Sequence, residues 1–456
     1  MILTVPKIFF MIWIQLIVLL VMILIGAQLK GIGLGLMGIL GMFIFVQVFR
    51  MRPTAPPGDV MLIIISIVTT AAALEAAGGL EYLVYLAEKI IRKSPKQITL
   101  IAPLTVYVLC LFSGTAHVVY SLLPVISEVS AKTRIRPERP LSISVIASAM
   151  AMTGSPMSAA TAAMAAVLVY PGASLDILKI CIPACLIGIL AGIISVWKMG
   201  KDLDKDPVFL EKMKDPAFAS YMAAESSNAA KEIKPQAKIA LLIFCIAIVM
   251  VVIGGAFPQL VPNMAEGVPN FSINADGSLK MVTIIEIVTL SAAALIMLTT
   301  KTSPAAIVKA SLFSSMASAM LSVFGVVWMS STFMAHNEVA IKSALGGLTT
   351  DHPWTFAIAV FVMGILMFSQ SATTKAMMPL GITLGMANPT LIAMFPASNS
   401  TFFLPGYPTL LAAINIDKTG STKIGRYVVN HSFMRPGMVA VTVAVLSGLL
   451  LSKLYG

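Results

Sequence analysis

FSQSATTKAMMP, running from Phe368 to Pro379, closes the apolar run FAIAVFVMGILMF and leads into more apolar chain. Four hydroxyls, an amide and a lysine therefore stand at the end of a segment long enough to enter a bilayer, where polar groups are costly. A plain membrane span has no use for them. The stretch reads instead as a break, the turn of a hairpin that enters the membrane and leaves on the same side. Everything around it supports a membrane setting. The chain is 58% apolar and 11% charged, with mean hydropathy +0.93, and windows of spanning length recur from end to end, which excludes the soluble classes. The net charge of +11 does not argue for nucleic acid, because in such a chain the position of each charge matters more than the sum.

Spans are expected at 9–29, 32–49, 59–77, 141–170, 175–197, 238–256, 281–299, 308–333, 388–415 and 434–453. The apolar stretches 97–129 and 353–387 are each interrupted near the middle by small polar residues and read as re-entrant hairpins. The expected fold is thus an all-α membrane protein of about ten transmembrane helices plus two hairpins. Assigning Lys and Arg to alternate sides puts 21 on one and 6 on the other, so the rich side is cytoplasmic and both termini are periplasmic. The first span lacks a small-residue cleavage site and reads as retained. Cys110, Cys181, Cys185 and Cys245 lie in apolar runs and read as packing residues, with no metal and no cofactor expected.

The order of elements repeats. Residues 1–200 hold three spans, the amphipathic connector GGLEYLVYLAEKIIRK, hairpin 97–129, span 141–170 broken at TGSP, and a closing span. Residues 237–456 hold three spans, the connector HNEVAIKSALGGL, hairpin 353–387, span 388–415 broken at PASNSTFFLPGYP, and a closing span. Each unit crosses five times, so the second is inverted relative to the first, an organisation typical of secondary transporters with a central substrate site. The mixed-charge segment 201–236 reads as a solvated linker on the cytoplasmic side.

Four polar clusters fall at corresponding places. The first hairpin turns at Ser113, Gly114, Thr115 and His117; the second turns between Ser369 and Lys375, with Ser371, Thr373 and Thr374. The broken spans add Thr153, Ser155, Pro156 and Ser158 in one half and Ser398, Asn399, Ser400 and Tyr407 in the other. A helix that begins just beyond each tip aims its free N–H groups and positive dipole end at the centre, which suits a carboxylate, and two such ends suit a dianion. Each cluster has an alternative reading as helix packing. Lys375 either neutralises a carboxylate or snorkels to the interface, and His117 either carries a proton or is structural. Glu75, Glu128 and Glu286 read as water-facing residues near span ends. NIDKTGSTKIGRYVVNHSF, after the second broken span, reads as a solvated loop or as an ordered gate. Ser113 and His117 make a poor catalytic dyad, with no orienting acid in reach of the motif, so no catalytic residue is assigned.

The stretches GTAHVVYSLLPVISEV, RPERPLS, TGSPMSAA, FSQSATTKAMMPLG, LPGYPTLLAAI and DKTGSTKIGRYVVNHSF together resemble the anaerobic C4-dicarboxylate transporter family, over nearly the whole chain. The resemblance implies exchange of fumarate, malate or aspartate inward against succinate outward across the bacterial inner membrane. It also implies an elevator-type carrier in the ion transporter superfamily, generally a homodimer. Binding to a sensor kinase alongside transport is compatible with the sequence. Superfamily relatives often carry Ser-Asn-Thr at the hairpin tips. Here the tips read Ser113-Gly114-Thr115 and Ser371-Ala372-Thr373, so no sodium site is carried over. The rival within transport is a sodium- or proton-coupled symporter of other di- or tricarboxylates.

Overall fold

The computed structural model describes residues 5–455 except 30–31, 57, 169, 171, 224–234, 257–259, 263–271, 274–276, 278, 311, 314–319, 322, 334, 338–351, 353, 368, 405–406 and 426–429. Among the described residues the secondary structure is helical, with two isolated bridges and no strand. In an apolar chain this follows from the bilayer itself, since a helix satisfies its own N–H and C=O groups where water cannot.

Helices Val5–Leu29, Gly33–Gln47 and Gly58–Ala76 take the first three expected spans. The chain then bends by 71° into Gly79–Lys93. That helix is amphipathic, burying Ala87 and Ile91 and carrying Glu81 in its first turn and Arg92 and Lys93 in its last, as the helix dipole favours. The first hairpin is Ile98–Ser113 and Val119–Lys132. Arg92, which precedes the outgoing arm, donates to Glu128 near the end of the returning arm at 3.1 Å. An arm of 16 residues runs roughly 24 Å, so this contact requires the chain to go out and come back. The second hairpin, Trp354–Met367 and Gln370–Thr383, closes the same way: a β-carbon on Gly381 would lie 3.0 Å from the ring of Phe356.

The first broken span runs as Glu138–Ala151 and Ala159–Leu168, the second as Asn388–Met394 with a short 3₁₀ turn to Ser398 and then Pro408–Ile416. The closing helices Ala173–Val196 and Met434–Tyr455 pack along each other, so closely that a β-carbon on Gly188 would sit 2.3 Å from the Ala440 carbonyl oxygen. Small residues at such a crossing let backbones approach without a hydrophobic drive. Contacts elsewhere come in pairs. Val5–Leu29 packs on Gly33–Gln47 as Pro235–Ala256 packs on Met281–Thr300, and the returning arm of each hairpin packs on the second half of the other unit's broken span. Four of the described helices are long and apolar enough to span alone: Pro95–Ser113, Ala173–Val196, Thr283–Thr300 and Met434–Leu454. Shorter apolar helices make up much of the remainder.

Several expectations change. The expected span 308–333 is not one helix: Pro304–Lys309 ends at Ala310, whose backbone turns extended, and Val323–Val327 is a π-helical turn. Most of the connector HNEVAIKSALGGL lies outside the described residues. The segment after 200 is not a free solvated linker in its first part. Asp202, Asp204 and Asp206 pair with Arg139, Arg134 and Arg136, Phe209 and Leu203 are buried against Ala131, and Lys212 donates to the carbonyls of Lys418 and Thr419. Its charges match a basic surface, so docking replaces solvation. The start of the loop after Ile416 is likewise held by protein: Asp417 is buried and accepts from the N–H of Thr419 and Thr422 and the hydroxyl of Ser421. Glu75 accepts from the Leu312 N–H and Glu128 pairs with Arg92 and Lys132, so both are turned to protein; Glu286 is half-buried.

Candidate functional site

Ser369 decides the geometry of the second tip. Its backbone is extended and its Oγ accepts from the Ala372 N–H, which makes it the N-cap of Gln370–Thr383. FSQSATTKAMMP therefore turns before Gln370, and the polar run expected to be the tip is the first turns of a helix. The threonines permit this because their hydroxyls bond back to the preceding turn: Thr373 to the Ser369 carbonyl at 2.7 Å and Thr374 to the Gln370 carbonyl at 2.8 Å. Thr115 is the counterpart in the first hairpin, also extended, its Oγ1 accepting from the His117 N–H.

The four clusters meet. Gly114, at φ +70°, lies against the backbone of Met157, and Ser155 donates to the Leu111 carbonyl at 2.6 Å, which joins the first tip to the first break. Ser371 donates to the Ala159 carbonyl at 3.3 Å, and Gln370 donates to the Ala149 carbonyl at 3.0 Å and to Asn399, which joins the second tip to both breaks. Asn399 donates to the Pro396 carbonyl at 2.9 Å and to Thr153 at 3.5 Å, and Thr153 touches the Cys185 thiol at 3.1 Å. Ser158 caps the helix that follows it through the Thr161 N–H, Ser398 turns to the Phe395 carbonyl, and Ser113 turns to the Cys110 and Thr115 carbonyls. The hydroxyl of Ser400 is buried against Gly364 with no hydrogen-bond partner among the described residues.

Lys375 is 1% exposed, one turn inside the capped helix. It does not snorkel. No acidic side chain or hydrogen-bond acceptor pairs with it among the described residues, and a buried ammonium without a partner is costly unless an anion arrives to compensate it. Three expected residues sit apart from this junction. His117 is exposed and stacked on Tyr120 with ring centroids 6.0 Å apart, and Ser113 does not bond to it. Pro156 lines an apolar crevice with Ile67, Val251 and Ile285. Tyr407 is half-buried against the apolar cluster around the first hairpin.

Residues 11–456 match the family model described as anaerobic C4-dicarboxylate membrane transporter. The chain belongs to that family. Among relatives of this transporter family, "Anaerobic C4-dicarboxylate transporter DcuB" of Escherichia coli is 38% identical over 97% of this chain and 99% of its own length. "C4-dicarboxylate transporter DcuA" of Wolinella succinogenes is 38% identical over 96% and 99%, and the protein of that name from Helicobacter pylori is 38% identical over 96% and 98%. A solved structure, the Alcanivorax borkumensis YdaH transporter, superposes over 99% of this chain and 98% of its own with a TM-score of 0.54 at 15% identity, a likeness of fold. In this member of the C4-dicarboxylate transporter family, sequence reasoning passed over one residue of the junction, Gln370. Its only signal was its position directly after a serine able to cap a helix.

Proposed function

We propose that the chain exchanges four-carbon dicarboxylates, fumarate, malate or aspartate inward against succinate outward, across the bacterial inner membrane. The observation that carries this reading is the buried Lys375, without a partner among the described residues, in a helix whose capped N-terminus meets both broken spans. A dicarboxylate brings two negative charges; the ammonium answers one and helix N-termini at the breaks answer the other. At the breaks that this helix meets, Thr153, Ser158, Ser398 and Ser400 would offer hydroxyls rather than charge. The paired packing of residues 1–200 and 237–456 supports an inverted repeat joined by the docked segment that follows residue 200. In the proposed elevator movement the hairpins and broken spans travel together against helices such as Gly33–Gln47 and Met281–Thr300, both termini facing the periplasm and the protein working as a homodimer.

Exchange rather than one-way transport follows from the charge. An empty site would carry an unpaired ammonium through the bilayer, whereas a loaded one is neutralised. Proteoliposomes preloaded with succinate should take up labelled fumarate, and vesicles without internal dicarboxylate should take up almost none. Rapid uptake into empty vesicles would overturn the exchange mechanism. Competition by succinate, fumarate, malate, aspartate and citrate, measured in sodium and in choline buffer, separates this reading from a sodium-coupled carrier of larger carboxylates.

A further inference from the structure

Both N–H groups of the Gln370 amide are committed across element boundaries, one to the Ala149 carbonyl and one to the Asn399 Oδ1. The orientation is forced. A carbonyl only accepts, so the Gln370 nitrogen must face Ala149; Asn399 must turn its own nitrogen to the Pro396 carbonyl, which leaves its oxygen for Gln370. Ala149 lies in the last turn of Glu138–Ala151, its carbonyl accepting from the Met152 N–H at 3.1 Å and offering its second lone pair to Gln370, and Asn399 lies in the second break just after its 3₁₀ turn. One side chain at the tip of the second hairpin thus ties that tip to both discontinuities. The other tip bond in the region, from Ser371 to Ala159, is longer at 3.3 Å and reaches only one of them.

We propose that Gln370 is a positioning residue that latches the second hairpin closed over the site, and that its two bonds break when the tip lifts to admit or release substrate. The inference rests on the exchange reading, in which a tip must open. A latch differs from a structural bond in one respect: the open state already lacks it. Its removal should loosen the closed state without unfolding the protein, and should let the site reopen before a new dicarboxylate has bound.

The test uses a reporter thiol, Ser371→Cys with Cys245→Ser, in proteoliposomes treated with a small methanethiosulfonate reagent. Adding Gln370→Leu, which keeps length and removes the donors, should raise the labelling rate about fivefold or more, as expected when two hydrogen bonds of ordinary net strength are lost. Gln370→Glu, which sets oxygen lone pairs against the Ala149 carbonyl, should act in the same direction. With Ser371 and Cys245 restored, Gln370→Leu should raise KM for succinate exchange and increase efflux into dicarboxylate-free buffer relative to exchange; a merely structural role would lower the maximal rate and leave that ratio alone. Labelling unchanged in both variants overturns the latch, as does failure of both to yield folded protein. If labelling rises but the parent chain exchanges no dicarboxylate, the latch stands and the exchange reading falls.

Discussion

Gly114 lies so tightly against Met157 that a β-carbon on it would sit 2.6 Å from the Met157 carbonyl oxygen. Its φ of +70° is one that other residues adopt at a cost. Both constraints come from the same need, to bring the first hairpin tip onto the backbone of the first break. Gly114→Ala should cost about 1–2 kcal/mol for the dihedral and more for the clash, and abolish exchange. Gly385→Ala is the control. Gly385 has φ +79° but open space where the β-carbon would go, so only the dihedral cost applies and exchange should persist. Thermal melting in detergent and vesicle exchange read both; equal losses in the two variants would remove the role of the Met157 contact.

Lys375→Met is expected to pull stability and activity in opposite directions. Replacing a buried ammonium that has no partner among the described residues by a thioether of similar length should raise detergent stability by about 1–3 kcal/mol. The same change should lower exchange about a hundredfold, the scale of a desolvated charge pair. Falling stability, or normal exchange, would return Lys375 to a packing role.

His431 makes its contacts with Phe433 and Phe403 sensitive to acid. Phe433 donates its N–H to Nδ1 at 3.2 Å, so Nδ1 must be unprotonated, and Nε2 therefore donates to the Phe403 carbonyl at 3.1 Å. Burial lowers the imidazole pKa below its ordinary value, only partly offset by the Phe403 carbonyl. Because the folded protein binds this proton less readily than the unfolded chain, the stabilisation is fully present above the unfolded pKa and is lost as pH falls toward the folded one. Melting temperature should drop between about pH 7 and pH 5.5. His431→Gln, which keeps a donor for Phe403, should flatten that part of the profile.

Arg136 holds the docked segment in place through Asp206. Burial opposes its charge, yet Glu138 and Asp206 outweigh that and raise its pKa. Glu138 is held in turn by the Ser432 hydroxyl and donates its own N–H to Ser421. Arg136→Leu should destabilise by about 3 kcal/mol because it strands two carboxylates, and Asp206→Leu in the same chain should recover part of that. Strict additivity in the double-mutant cycle would show the two charges to be uncoupled.

The breaks at TGSP and PASNSTFFLPGYP could be read directly because proline and small polar residues inside apolar runs leave backbone groups that a bilayer cannot satisfy. The start of the helix within FSQSATTKAMMP could not. A serine that caps and a serine that lines a turn look alike in one dimension, and the threonines that suggested a loop bond back to their own helix. The three aspartates after residue 200 looked solvated because their partners, Arg134, Arg136 and Arg139, are some 60 to 70 residues away in sequence.

The sequence by itself determined a membrane chain and marked where its apolar runs are interrupted, since these depend on local hydropathy and on backbone groups that must find partners nearby. Only the tertiary structure decided which interruptions touch. The burial of Lys375, the crossing of Gln370 to Ala149 and Asn399, and the seating of Gly114 on Met157 arise from how separate helices pack, and no local pattern encodes the distance between them.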